Sequence, residues 1–306
     1  MKREKLKKEA YSVKDKAVYC KLGVDAWHKV ICYNDAELSV LDTASRFSEI
    51  WNQKEQKQEA RSTENITKSW QELLLPLPDF PITCWAYAST YALHRKETSV
   101  QESFRFHKSG PADTMFSSIG YRPHLDYEAE IGILMNKYES SRFGYVMVND
   151  LTDRGIQAKT FNREEPAPGF SEAKSFEGSL RVGPLLLIGD EALWNKTETT
   201  LLLNSEIRQQ VYGRECLMRP GQFHKETFSL GKEKDWILIA SGTSAGVIFH
   251  APKTFEKLML FARSGFKKNK AIEKWLSRLH FLKVGDEIEF RSPLLGIGKA
   301  KVNNEQ

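Results

Sequence analysis

Asp126-Tyr127-Glu128-Ala129-Glu130-Ile131-Gly132-Ile133 places carboxylates at every second position and apolar or aromatic side chains between and after them. In a strand, successive side chains point to opposite faces, so Asp126, Glu128 and Glu130 share one face and Tyr127, Ala129, Ile131 and Ile133 the other. Like charges at this spacing repel, and each carboxyl tends to keep its proton unless a cation neutralises it. Hard cations such as Mg²⁺ and Ca²⁺ take oxygen ligands of this kind. The same alternation also fits a solvent-facing strand of an antiparallel sheet.

Twenty residues after Glu130, the apolar run Phe143 to Val148 ends in Asn149-Asp150. A carboxylate at a strand tip can join a neighbouring strand's pair as a third ligand. Arg154 and Gln157 follow, three apart, and on a helical turn would share a face able to hold an anionic, oxygen-rich substrate. Taken alone, the segment reads first as an Asn-Asp turn opening a surface helix. Upstream, His94 and Glu97 are also three apart, a spacing at which the carboxylate orients the imidazole and raises its basicity. An exposed His and Glu on a surface helix is the plainer alternative.

Further runs of β-branched and aromatic residues recur at Ile131 to Met135, Pro184 to Ile188, Thr199 to Leu203, Trp236 to Ala240 and Glu287 to Phe290, with Ala17 to Leu22 and Lys29 to Tyr33 near the start. Few long helical patterns separate them, which predicts a sheet-rich α+β chain rather than a doubly wound one. A short helix is expected near Ala44 to Trp51. Thr254 to Leu279 has helical spacing, broken at Gly265. Leu75-Pro76-Leu77-Pro78 stops regular structure and sets an expected boundary, with a small N-terminal domain over 1–78 and a catalytic domain over 79–306.

With 41% hydrophobic and 11% aromatic residues in 306, the chain can bury a full core. The net charge of +5 is local: residues 253–280 carry eight basic and two acidic residues, so the remainder is close to neutral. This basic helical insertion reads as surface and subunit contact, not as a nucleic-acid stripe. Cys20, Cys32, Cys84 and Cys216 are scattered and expected to be reduced thiols. No apolar run approaches the roughly 20 residues that span a bilayer, and the first residues are polar, so no membrane association and a cytoplasmic location are expected. No P-loop, dinucleotide fingerprint, G-x-S-x-G elbow or H-x-x-x-H zinc spacing occurs.

Taken together, the segments resemble the fumarylacetoacetate hydrolase family. Asp126 to Glu130 resembles its D-Y-E-x-E strand and Asn149 to Gln157 its N-D-x-[ST]-x-R-x-x-Q segment. Lys174-Ser175-Phe176 with Gly183-Pro184, Leu203 to Gln209, Gly242 to Val247, and Lys283 to Glu287 with Gly296-Ile297-Gly298 resemble further motifs in the same order. Tyr91 to Glu97 is similar to the family's N-Y-x-x-H-x-x-E lid segment, although Cys84 to Tyr91 lacks the usual preceding glycine and asparagine. Glu164 to Gly169 is an apparent insertion before Lys174.

The resemblance implies a mixed β-roll, commonly a homodimer, with Glu128, Glu130 and Asp150 as ligands of Mg²⁺ (or Mn²⁺ or Ca²⁺). It implies a 2-oxo acid or 1,3-diketone as substrate. His94, backed by Glu97, would activate water, and Lys174 would stabilise developing negative charge. Arg154, Gln157 and Thr243 would position the substrate. C–C bond hydrolysis is the expected reaction. Decarboxylation, hydration and isomerisation use the same platform, and a non-catalytic binding protein is the alternative from another class.

Overall fold

The computed structural model describes residues 10–42, 44–53, 65–98, 102–160, 165–229, 231, 233–250 and 265–304. The fold is sheet-rich α+β. Ala129–Asn136 and Glu139–Asp150 pair as a long antiparallel hairpin at the centre of the largest sheet. Its apolar residues occupy both faces. Ile131, Ile133, Met135, Phe143, Tyr145 and Met147 feed one core cluster, whereas Leu134, Val146 and Val148 feed a second. Burial on both sides explains why the hairpin's sequence is nearly continuous in hydrophobicity beyond Glu130. Gly132 fits this crowding, because a Cβ there would lie 2.7 Å from the side chains of both Val146 and Val148.

The sheet extends from the hairpin in both directions. On one side lie Trp236–Thr243, then Thr83–Ala88 in parallel, then Phe104–His107. On the other, Leu186–Gly189 is followed by Val18–Gly23, Ala26–Tyr33, Glu37–Leu41 and Asn65–Ser69. The strands before residue 78 therefore continue the same sheet, joined through Val18 and Tyr19 to Leu187 and Leu186. A second sheet, in the order Glu206–Tyr212, Glu198–Leu203, Glu287–Ser292, Gly296–Asn303 and Ile119–Gly120, contributes Leu201, Ile288, Phe290 and Ile297 to the first core cluster.

Short helices carry site segments at the sheet ends. Ala92–Thr98 follows the Thr83–Ala88 strand, Arg154–Thr160 follows the hairpin, and Pro166–Lys174 comes next with proline at its start. Proline suits a first turn because its missing N–H has no helical partner there anyway. The expected helix near Ala44 to Trp51 is Phe47–Asn52. Of the helical stretch expected over 254–279, the part from Gly265 to Leu276 is a helix, and residues 251–264 lie outside the described residues. All four cysteines are free thiols. Among the described residues, no helix is long and apolar enough to cross a membrane.

Candidate metal centre

The carboxylate strand is interrupted. Leu125–Asp126 pairs with Thr152–Asp153 in a separate two-stranded piece, and the ladder of the main hairpin resumes only at Ala129. Side chains satisfy the backbone groups around the break. Asn149 Oδ1 accepts from Glu128 N at 3.3 Å, Gln209 Oε1 accepts from Ala129 N at 2.9 Å, and Thr243 Oγ1 donates to Ala129 O at 2.7 Å. Asp150 N donates to Glu128 O at 2.9 Å, which locks the two strand tips together. The expectation of three carboxylates on one face holds for Glu128 and Glu130 only. Asp126 accepts instead from Arg154 Nε at 2.8 Å and from the amides of Tyr127, Ile248 and Phe249.

Glu128, Glu130 and Asp150 are buried and offer oxygens that all lie within 4.8 Å of one another. Oxygens on opposite sides of a divalent cation held at roughly 2.1 to 2.4 Å are about 4.2 to 4.8 Å apart, so the cluster has the size of an oxygen-ligated shell. Charge agrees. Four buried carboxylates, Asp126, Glu128, Glu130 and Asp150, face three buried cations, Lys108, Arg154 and Lys174. Glu130 is the carboxylate without a hydrogen-bonded cation among the described residues. It accepts from Gly242 N at 2.9 Å. Burial first, then Asp150 and Glu128, push its carboxyl well above the usual range, with Lys174 and the Gly242 amide opposing. The donor set thus fits a divalent cation.

Gly242 delivers that amide because the pairing of Trp236–Thr243 with the hairpin slips between Glu130 and Gly132, a bulge that re-aims the backbone. Its φ is +91°, and a Cβ would meet Thr90 Oγ1 at 2.1 Å. Only glycine satisfies both demands.

Lys174, in the last turn of its helix, bridges Glu128 Oε2 at 2.6 Å and Asp150 Oδ2 at 2.8 Å. Burial disfavours its charge, but Asp150 and Glu128 outweigh that and hold the ammonium above the ordinary lysine value. Pro166 to Gly169 of the apparent insertion form the start of this helix, Glu164 lies outside the described residues, and Lys174 stands at the centre. Arg154 donates to Glu128 Oε1 at 2.5 Å and to Gln157 Oε1 at 2.7 Å. Burial alone would raise the Glu128 carboxyl, yet Lys174, Arg154 and then His94 bring it down to about 2.

His94 is therefore within electrostatic reach of Glu128. Its Nδ1 is 3.5 Å from Glu97 Oε2, and Glu97 accepts from Gly246 N at 3.1 Å. Before this helix Ser89 adopts φ +60°, with its carbonyl accepting from Arg95 Nε at 2.6 Å and Ser103 Oγ at 3.0 Å. Thr243 sits beside Glu130 but spends its hydroxyl proton on Ala129 O and accepts from Gln209 Nε2 at 2.9 Å. Its hydroxyl supports the ligand strand and has no second proton for a substrate carboxylate.

Lys108 and Gln209 have roles that motif reading did not single out. Lys108 Nζ donates to Asp150 Oδ1 and to Lys174 O, both at 2.5 Å. A signal was present: Phe104, Phe106 and Lys108 fall on alternating positions, so the lysine continues the inward phase of a strand. Gln209 is buried in a strand whose neighbours Arg208 and Gln210 are exposed, but Ile207, two before it, is exposed as well, so no inward apolar phase marks it in the sequence.

Comparison with known proteins adds the following. The sequence model of the fumarylacetoacetate (FAA) hydrolase C-terminal domain matches residues 51–303. An uncharacterized protein of Staphylococcus aureus is 27% identical over 190 residues, covering 56% of this chain and 61% of that protein. The chain thus spans about three fifths of the length of the curated relatives it matches. A 2-hydroxyhepta-2,4-diene-1,7-dioate isomerase from Mycobacterium marinum superposes with a TM-score of 0.58 at 14% identity, over 94% of this chain and 98% of that one. A fumarylpyruvate hydrolase from Pseudomonas aeruginosa, solved with Mn²⁺ and pyruvate, superposes with a TM-score of 0.51 at 17% identity, over 74% of this chain and 91% of that one. At these identities the likeness is one of fold.

Proposed function

The chain belongs to the fumarylacetoacetate hydrolase family, and from that premise we propose that it is a divalent-metal-dependent hydrolase that cleaves a C–C bond in an acylpyruvate-type 2-oxo acid. The observation that carries this reading is the buried Glu128, Glu130 and Asp150 cluster with Lys174 across two of its members and the His94–Glu97 pair at its edge. Mg²⁺ or Mn²⁺ held by the three carboxylates would supply Lewis acidity toward the substrate's oxygens.

The chain's own groups do the rest. Arg154 and Gln157 hold the 2-oxo acid carboxylate by charge-assisted hydrogen bonds. His94, oriented by Glu97, takes a proton from water, and the hydroxide adds to the acyl carbonyl carbon. The bond from that carbon to the pyruvyl methylene then breaks. The acyl carbon leaves as a carboxylic acid, and the electron pair passes to the enolate of pyruvate. Lys174 stabilises this enolate's negative oxygen, and protonation at the methylene carbon gives pyruvate. Preorganised donors of this type contribute roughly 3 to 4 kcal/mol each. The same reading includes a cytoplasmic homodimer.

Isomerisation is the second reading, favoured by one observation: the M. marinum isomerase covers 94% of this chain. NMR analysis of products from acetopyruvate, fumarylpyruvate and oxaloacetate, with Mg²⁺, with Mn²⁺ and with chelator, separates the cases. Metal-dependent release of pyruvate and the partner acid is the expected outcome. Rearranged substrate of unchanged mass would replace hydrolysis by isomerisation, and pyruvate from oxaloacetate alone would replace it by decarboxylation.

A further inference from the structure

The helix Gly265–Leu276 lies in the basic stretch that separates the Gly242 to Val247 loop from the final strands. Its inner residues are not surface. Ile272, Trp275 and Leu276 are buried with Phe281, and Ile248, Phe249 and Ala158 pack against them. The Phe249 ring meets Trp275 edge-on at 5.0 Å, and on the inner side the Arg154 guanidinium carbon lies 5.0 Å from the Phe249 ring centre. Trp275, Phe249 and Arg154 thus form one stack running from the helix to the metal centre.

Two further contacts fix the ends of that stack. Asp126 accepts from Ile248 N at 3.0 Å, Phe249 N at 3.1 Å and Arg154 Nε at 2.8 Å, so one carboxylate sets both the segment bearing Phe249 and the guanidinium beneath it. Glu273 pairs with Lys159 at 2.6 Å and lies 3.8 Å from His124 Nε2, while His124 O accepts from Arg154 N at 3.0 Å. Glu273 thus ties the Gly265–Leu276 helix directly to Lys159 in the last turn of the Arg154–Thr160 helix, and reaches the first residue of that helix through His124.

We propose that Trp275 and Phe249 are positioning residues: through them the Gly265–Leu276 helix holds Arg154 in the orientation that receives the carboxylate of a 2-oxo acid, and so sets substrate affinity without touching substrate. A cation against an aromatic face in a desolvated setting is attracted to it, which favours one orientation of the guanidinium over others. The inference rests on the substrate role given to Arg154 above.

The test is calorimetric binding of pyruvate at saturating Mn²⁺, and of Mn²⁺ alone, to the full chain and to its Arg154→Met, Trp275→Ala, Trp275→Phe and Phe249→Leu variants. Trp275→Ala and Phe249→Leu are each expected to weaken pyruvate about tenfold while Mn²⁺ affinity changes by less than about threefold. Trp275→Phe, which keeps an aromatic edge, is expected to recover most of the loss. Hydrogen exchange over residues 154–160 is expected to accelerate in Trp275→Ala. Wild-type pyruvate affinity in both Trp275→Ala and Phe249→Leu would overturn the coupling, as would a parallel fall in Mn²⁺ and pyruvate affinity in both. The two levels fail differently. Pyruvate binding indifferent to Arg154→Met removes the substrate role of Arg154 and the inference with it. Binding abolished by Arg154→Met but untouched by both Trp275→Ala and Phe249→Leu removes the inference alone.

Discussion

Two hairpins of this chain obey opposite rules. In Glu198–Leu203 with Glu206–Tyr212, charged residues cluster at an exposed tip and Leu201, Leu202 and Val211 are buried, as packing alone demands. In Ala129–Asn136 with Glu139–Asp150, Lys137, Glu139 and Arg142 likewise stand at the turn, but Glu130 and Asp150 are buried at the open end, where side chains replace missing ladder bonds. Burying carboxylates is costly without compensation. The first hairpin contributes stability, and the second spends some of it to hold a charge arrangement that a divalent cation completes. Gln209 joins them, projecting from the ordinary hairpin onto the backbone of the other.

The largest effect expected from this contrast comes from Glu130→Gln. The amide keeps the shape and can still accept from Gly242 N, but it removes a ligand charge. kcat/KM should fall at least about 10³-fold, equivalent to about 4 kcal/mol, and thermal melts should lose the upward shift that Mn²⁺ gives the wild type. Without metal the variant should melt no lower than the wild type at pH 7. The Glu130 carboxyl is raised in the folded chain, so its protonated form favours folding, and that contribution is lost as pH rises from the ordinary carboxylate range toward the raised value. A variant that binds Mn²⁺ normally, or that melts well below wild type without metal, would show that Glu130 serves packing rather than a cation.

A smaller effect tests the link between the hairpins. Gln209→Leu leaves Ala129 N and Ser244 O without their partner in the interior. Unfolding in urea should show a loss of about 2 kcal/mol. Mn²⁺ affinity should drop about tenfold, because Ala129 lies between the two glutamates and groups that orient ligands carry this order of effect. Loss of stability with unchanged Mn²⁺ affinity would reduce Gln209 to an ordinary core contact.

Much of the centre is legible in the sequence because its motifs are local. Glu128 and Glu130 share a phase, Asp150 ends an apolar run, and Lys174 opens the Lys174-Ser175-Phe176 motif. What period-two reading misses is the break at Tyr127 and Glu128, where a continuous strand would have kept Asp126 with the other two carboxylates. Asp126 turns instead to Arg154 and the 248–249 amides, partners more than a hundred residues away for the latter, which no local pattern encodes. Thr243 falls to the same limit: its place beside Glu130 is readable from the loop, but its hydrogen-bond commitments depend on Gln209 from another sheet. The strands before residue 78 are readable as strands, whereas their joining to the central sheet rests on the Val18 and Tyr19 pairing with Leu187 and Leu186, set by tertiary packing.

The smallest effect belongs to the ordinary hairpin and marks the edge of the contrast. Its turn residues Asn204 and Ser205 have φ of +52° and +68°, the left-handed pair that a two-residue hairpin turn requires. Asn204 is compensated, since its side chain accepts from Glu287 N and donates to Asp286 Oδ1, both at 2.9 Å. Ser205 is exposed and has no such return, so it carries the backbone cost of a non-glycine residue there, about 1 kcal/mol. Ser205→Gly should raise the melting temperature by about 2 °C and leave Mn²⁺ affinity and kcat/KM unchanged. A change in Mn²⁺ affinity would mean that the turn's geometry reaches Gln209 four residues on and that the two hairpins are not separable. An unchanged affinity with a higher melting temperature would confine the coupling to the Gln209 side chain.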